Sequence, residues 1–100
     1  MNIRINAVHF SASESLEEFI TQRINKLSLF QDKIQSAEVF LRLENVQNKE
    51  NKIVEIKLIV PGEEFFAEKQ SESFEKSTDL AIEALRRQLK KHKGKTTEIL

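Results

Sequence analysis

Six basic side chains crowd one end of the chain: Arg86, Arg87, Lys90, Lys91, Lys93 and Lys95 lie between Ala84 and Thr97 with no acid among them. Cations grouped this way can follow a phosphate backbone, each releasing condensed counterions. The preceding stretch, Glu63 to Glu83, has the opposite sign: Glu63, Glu64, Glu68, Glu72, Glu75, Asp79 and Glu83 against Lys69 and Lys76. Acids early and bases late also suit a helix macrodipole, and Glu83 is spaced to pair with Arg87. A phosphate patch and a stabilised helix end therefore both remain open on composition alone.

Arg23 and Lys26 stand between apolar positions in an earlier segment. Arg23 falls at the border of the apolar stripe, where an arginine stem can cover core while its head reaches water. If two helices lie side by side, the same pair would line a groove facing the basic end of the second helix.

Little else is arranged for chemistry. His9 and Ser11 are a base and a hydroxyl in an unconstrained connection, and His92 falls on an apolar helical face as a cap to the core. The carboxylates are scattered, with no pair in an apolar surround. Gly62 and Gly94 are the only glycines, which excludes a Gly-rich phosphate loop. There is no Cys, and the two His form no metal-ligand spacing. No catalytic residue, metal, cofactor or small-molecule substrate is expected. Phe40 and the Phe65-Phe66 pair could stack on bases, but burial in the core or at a dimer contact is the favoured expectation.

The elements that must position these groups are legible from periodicity. Ile3, Ile5 and Ala7 alternate in a strand over 2–8. Leu16, Phe19, Ile20, Ile24 and Leu27 recur at helical spacing over 14–27. Ser11 and Ser15 each begin a capping box, and Ser13 is a third possible cap. Strands follow at 37–44 and 53–60, a turn at Pro61-Gly62, and a shorter strand from Phe65 to Gln70. A helix from Ser73 to His92 places Phe74, Thr78, Ala81, Ile82, Leu85, Leu89 and His92 on one face, with Gly94 as its C-terminal stop. This order, β-α-β-β-β-α, predicts an α+β two-layer sandwich: a four-stranded sheet, its first two strands parallel, with both helices on one face.

One hundred residues with 39% hydrophobic content support a single domain, residues 1–100, with 96–100 as a frayed tail. Sixteen basic and sixteen acidic residues cancel, so an overall basic charge offers no argument for nucleic-acid binding. No apolar run can span a bilayer and no signal peptide is evident, so a soluble, cytoplasmic protein without membrane contact is the expectation.

The whole string then resembles a known family. MNIRINAVHFSASESLEEFITQRINKL, VFLRL and VEIKLIVPGEEFFAEKQSESFEKSTDLAIEALRRQLKKHKGK are similar to the short ribosome hibernation-promoting factors, also called ribosome-associated inhibitors, over about Met1 to Lys95. Ser13, Leu16, Phe19, Ile20, Arg23, Lys26 and Leu27 fit the pattern of the family's first helix. Asp79, Ala81, Ile82, Glu83, Leu85, Arg87, Gln88, Leu89 and Lys91 fit the second. The resemblance implies a fold like that of double-stranded-RNA-binding domains. It implies occupation of the messenger and transfer RNA channel of the small ribosomal subunit, with contacts chiefly to 16S rRNA. Initiation would be blocked and idle ribosomes preserved in stationary phase or starvation, with a separate ribosome-pairing factor as a possible further partner. Its RNA contacts carry over to Arg23, Lys26, Arg87 and Lys91, with Arg86, Lys90, Lys93 and Lys95 in the same patch.

The chain departs from the family at Ala7, where a Gly is common, and at Ser73-Phe74-Glu75, where a tyrosine contact is lacking. Ala84 replaces a frequent lysine and Arg86 a usual acid, so the patch is expected to be shifted along the helix. With the sequence ending at Leu100, no second domain of the kind found in long family members is expected. A general RNA-binding module acting off the ribosome, or a domain for protein contacts only, stands as the alternative.

Overall fold

The strands alternate because one side of each is covered and the other is not. In the computed structural model β1 (Asn2–Ala7), β2 (Ser36–Leu43), β3 (Lys52–Val60) and β4 (Glu63–Ser71) form one sheet in that order. β1 runs parallel to β2, and β2–β3 and β3–β4 are antiparallel. α1 (Glu14–Asn25) continues into a short 3-10 helix (Lys26–Leu29), and α2 (Phe74–Ile99) closes the chain. The structure describes residues 1–44 and 49–99, with side chains as far as His92.

Register sets the core. Val39, Ile56 and Ala67 lie side by side across three strands, as do Ala37, Leu58 and Phe65. All six are buried with Leu16, Ile20, Ile24 and Leu27 of the α1 segment and Ala81, Leu85 and Leu89 of α2. Both helices thus share one face of the sheet. Each fully buried aliphatic side chain contributes about 1.5–3 kcal/mol, so this layer contact dominates stability.

Of three possible caps the structure uses Ser13. Its carbonyl accepts from Glu17 N–H at 3.0 Å, and its hydroxyl accepts from Leu16 N–H at 3.1 Å. The third helical residue is therefore Leu16, and neither capping box forms. Starting there turns Leu16, Ile20 and Ile24 onto the sheet. Ser73 likewise precedes α2 as its cap, accepting from Ser77 and Lys76 N–H, both at 3.0 Å. Behind it Ser77, fully buried, donates to the Lys52 carbonyl at 2.8 Å and meets the Ser71 hydroxyl at 2.7 Å. These bonds fix the start of α2 against the β3–β4 edge.

One expectation needs correction. Helix α2 does not stop at Gly94 but runs through it to Ile99. A glycine inside a helix costs only about 1 kcal/mol relative to alanine and does not by itself end one. The turn after β1 passes through His9, whose φ of 65° is in the left-handed region that glycine occupies most readily. The side chains of 96–100, expected to fray, lie outside the described residues.

Phe65 and Phe66 separate, since successive strand residues point to opposite faces. Phe65 is buried in the core, whereas Phe66 and Phe40 are exposed on the uncovered face. Burial is therefore right for Phe65 only. That uncovered face is held by charge. Arg42 bonds Glu55 and also reaches Glu68 at 3.2 Å, bridging two glutamates that sit directly opposite on β3 and β4. The Arg42 hydrogen bond holds the Glu55 carboxyl below the usual carboxylate range.

A lowered folded pKa stabilises above the ordinary carboxylate value and ceases to do so as pH falls through the folded value. The melting-temperature gap between the parent and Glu55→Gln is therefore expected to be largest near neutrality and to close below about pH 4. A gap that stays constant down to acid pH would remove the ion pair as its cause.

Candidate nucleic-acid interface

With Thr78, Ala81, Leu85 and Leu89 buried, the helical repeat turns Arg87, Lys90 and Lys91 to solvent, and all three are exposed. Arg86 is half-buried at the seam with the α1 segment. There the 3-10 helix ends at Phe30, which donates its N–H to the Leu27 carbonyl at 3.0 Å. The Phe30 ring is flanked by two cations, with Arg86 Cζ and Lys90 Nζ each 5.9 Å from its centroid. An aromatic face at that range attracts both and limits where they point.

Glu83 holds the arginines from below. Arg86 donates to it through Nε at 2.9 Å and through a terminal nitrogen at 2.5 Å, a two-pronged pair. Arg87 Nε lies 3.4 Å from the same Oε1. The expected Glu83–Arg87 pair is present, but the closer partner is Arg86. Three- and four-residue spacings are equally neighbours on a helix, so Arg86 and Arg87 both reach Glu83. The hydrogen bond from Arg86 holds the Glu83 carboxyl below its usual range.

Arg23 does not face the basic end of α2. Its Nε donates to Asp79 Oδ1 at 2.8 Å, and its guanidinium lies 4.1 Å above the Phe19 ring. Asp79 precedes Arg86 by seven residues, about 10 Å along the helix axis. The observed contacts of Arg23 are thus made by its guanidinium, on Phe19 and with Asp79, and not by its stem alone with the head turned to water. Lys26 is exposed where α1 passes into the 3-10 helix, between Arg23 and Phe30 in the chain. Lys26, Lys90 and Lys91 have no acid partner among the described residues, unlike the three arginines. The side chains of Lys93 and Lys95 lie outside the described residues.

The structure therefore brings Arg86, Arg87 and Lys90 into one cluster, with Lys91 beside it. Arg23 sits apart at Asp79. Phe30 and Asp79 were not anticipated in these roles, because each acts through a tertiary contact that leaves no mark on its own element's periodicity. His92 packs edge-on against Phe65, 5.4 Å between ring centroids, and its Nδ1 is 3.9 Å from Glu63. It caps the core, as its place on the apolar face implied. His9 and Ser11 are both exposed at the turn after β1.

Residues 3–97 match the family described as Sigma 54 modulation protein / S30EA ribosomal protein. The chain belongs to this family. It is the family of ribosome hibernation-promoting factors, which are not enzymes. The chain is 30% identical over 100 residues to the ribosome hibernation promoting factor of Pseudomonas putida, covering all of this chain and 94% of that one. It is 32% identical over 95 residues to the Escherichia coli factor of the same name, covering 95% and 96%. A ribosomal subunit interface protein from Coxiella burnetii superposes with a TM-score of 0.83 at 26% identity, over 94% of this chain and 99% of that one. The N-terminal domain of Thermus thermophilus Protein Y shares the fold, with a TM-score of 0.80 at 22% identity over 92% and 99%. No helix among the described residues of this family member is long and apolar enough to cross a membrane.

Proposed function

We propose that this protein is a cytoplasmic, ribosome-binding translation inhibitor. It occupies the messenger and transfer RNA channel of the small subunit, holds 16S rRNA, and preserves inactive ribosomes in stationary phase or starvation. A separate ribosome-pairing factor is a further candidate partner. Its action is steric. The helix layer fills space that messenger or transfer RNA would need, and cations attach it to phosphates. The observation that carries this reading is the cation cluster along α2, in which Arg87 and Lys91 stand at positions of the family's second-helix motif. Arg86, Arg87, Lys90 and Lys91 supply it, and Lys93 and Lys95 continue the same run of sequence; Lys26, and Arg23 apart from the cluster at Asp79, are the RNA contacts proposed on the α1 segment.

Sucrose-gradient sedimentation of a stationary-phase lysate tests the reading. The protein is expected to travel with small subunits or whole ribosomes. Recovery in light RNA complexes would favour the off-ribosome RNA module, and free protein would favour a domain for protein contacts only.

A further inference from the structure

The arginines and lysines of the cluster differ in what already holds them. Arg86 is gripped on two prongs by Glu83, which also touches Arg87, and Arg23 is gripped by Asp79. Lys26, Lys90 and Lys91 are exposed with no acid partner among the described residues. A guanidinium meets a phosphate through the same parallel N–H donors it offers a carboxylate. Any phosphate approaching Arg86 must therefore displace Glu83 or share the fork against its charge.

We propose that Glu83 is a selectivity-determining residue: it withholds Arg86 and Arg87 from scattered phosphates and releases them only to an RNA surface that engages the neighbouring lysines at the same time. This rests on the RNA-binding reading above. An arbitrary RNA duplex presents phosphates to the lysines but does not match the whole helix layer, so it gains little from the arginines. A surface shaped to the layer engages Lys26, Lys90 and Lys91 together and can compete for the fork. A glutamate is ionised at neutral pH in any case, and the hydrogen bond from Arg86 holds this carboxyl further below its usual range. Asp79 places the same kind of restraint on Arg23, whose guanidinium also lies 4.1 Å from the Phe19 ring centroid. The half-exposed position of Glu83 also leaves the core unaltered when it is changed.

The test compares the full-length parent, Glu83→Gln and Glu83→Ala on two probes: a 16-base-pair RNA duplex of arbitrary sequence and purified small ribosomal subunits. Both variants are expected to bind the duplex about threefold to tenfold more tightly at low salt, through loss of one nearby negative charge. The slope of log affinity against log salt should steepen by roughly 0.9, the equivalent of one more phosphate contact. Subunit affinity should rise less, so the ratio between the two probes falls. Glu83→Ala also removes the residual amide acceptor and guards against Gln imitating the native pair. Melting temperatures should stay within a few degrees of the parent.

Duplex affinity and slope unchanged in both variants would overturn the inference. So would an equal gain on both probes, or weaker binding accompanied by a lower melting temperature, which is the mark of a structural helix pair. Failure of the parent itself to bind subunits would overturn the RNA-binding reading and this inference together. Parent binding with unmoved variants overturns this inference alone.

Discussion

The double variant Lys90→Glu/Lys91→Glu is expected to lose small-subunit binding by more than a hundredfold and to remain folded. Among Glu83, Arg86, Arg87, Lys90 and Lys91 the balance is three positive charges, and the double change turns it into one negative charge. A hydrogen bond to a charged partner is worth about 1.5–3 kcal/mol, so two lost contacts already exceed a hundredfold before repulsion is counted. Neither lysine belongs to the buried stripe of Ala81, Leu85 and Leu89. The one packing contact at stake is Lys90 over Phe30, worth about 0.5–1 kcal/mol at an exposed position. Because α2 continues to Ile99, these acids would sit more than a turn from the helix end, where the macrodipole penalty has largely faded.

Sedimentation with subunits and a melting curve decide the matter together. Wild-type co-sedimentation by the double variant would make the basic run a feature of the helix and not of the interface. Arg23 is a poorer probe of the same surface. Removing it also uncovers the Phe19 ring and leaves Asp79 without its partner, so a loss of binding would not separate contact from packing.

The layered fold was legible because one-sided burial writes itself into sequence. Ile56 and Leu58 on β3, and Leu85 and Leu89 on α2, repeat at two and about four residues, since each element covers a single face. The same alternation separates Phe65 from Phe66, although the bulk of both rings argued for burial. Boundaries were less legible. Strand β4 begins at Glu63 and ends at Ser71, beyond the apolar residues that marked it, because backbone pairing continues where side chains no longer alternate.

Caps and charges fared differently from the core. Three serines near the start of α1 carry equivalent local signals, and only packing of Leu16, Ile20 and Ile24 on the sheet selects Ser13. The basic cluster was visible as a run of residue types, but its partition was not. Arg23 meets an aspartate 56 positions away, and Phe30 lies under cations from another helix. Such contacts depend on how α1 crosses α2, which no window of sequence contains.

That partition bears on how binding should respond to salt. The chain carries no net charge, so its monopole gives no attraction for RNA. Attraction must come from the local field, which is felt over roughly 10 Å at 0.1 M ionic strength. Glu75 lies about 22 Å along the axis from Lys90, and so the acids opening α2 are screened from a phosphate held at the cluster. Among the acids of α2 with described side chains, Glu83 lies nearest to it. With four phosphate contacts, the affinity for small subunits is expected to fall roughly a hundredfold between 50 and 200 mM monovalent salt. Equilibrium binding across that range supplies the slope, and each cation removed should flatten it by about 0.9. A neutral protein held by shape alone, or by apolar contacts through exposed Phe40 and Phe66, would show almost no slope. That result would move the interface from the helices to the open face of the sheet.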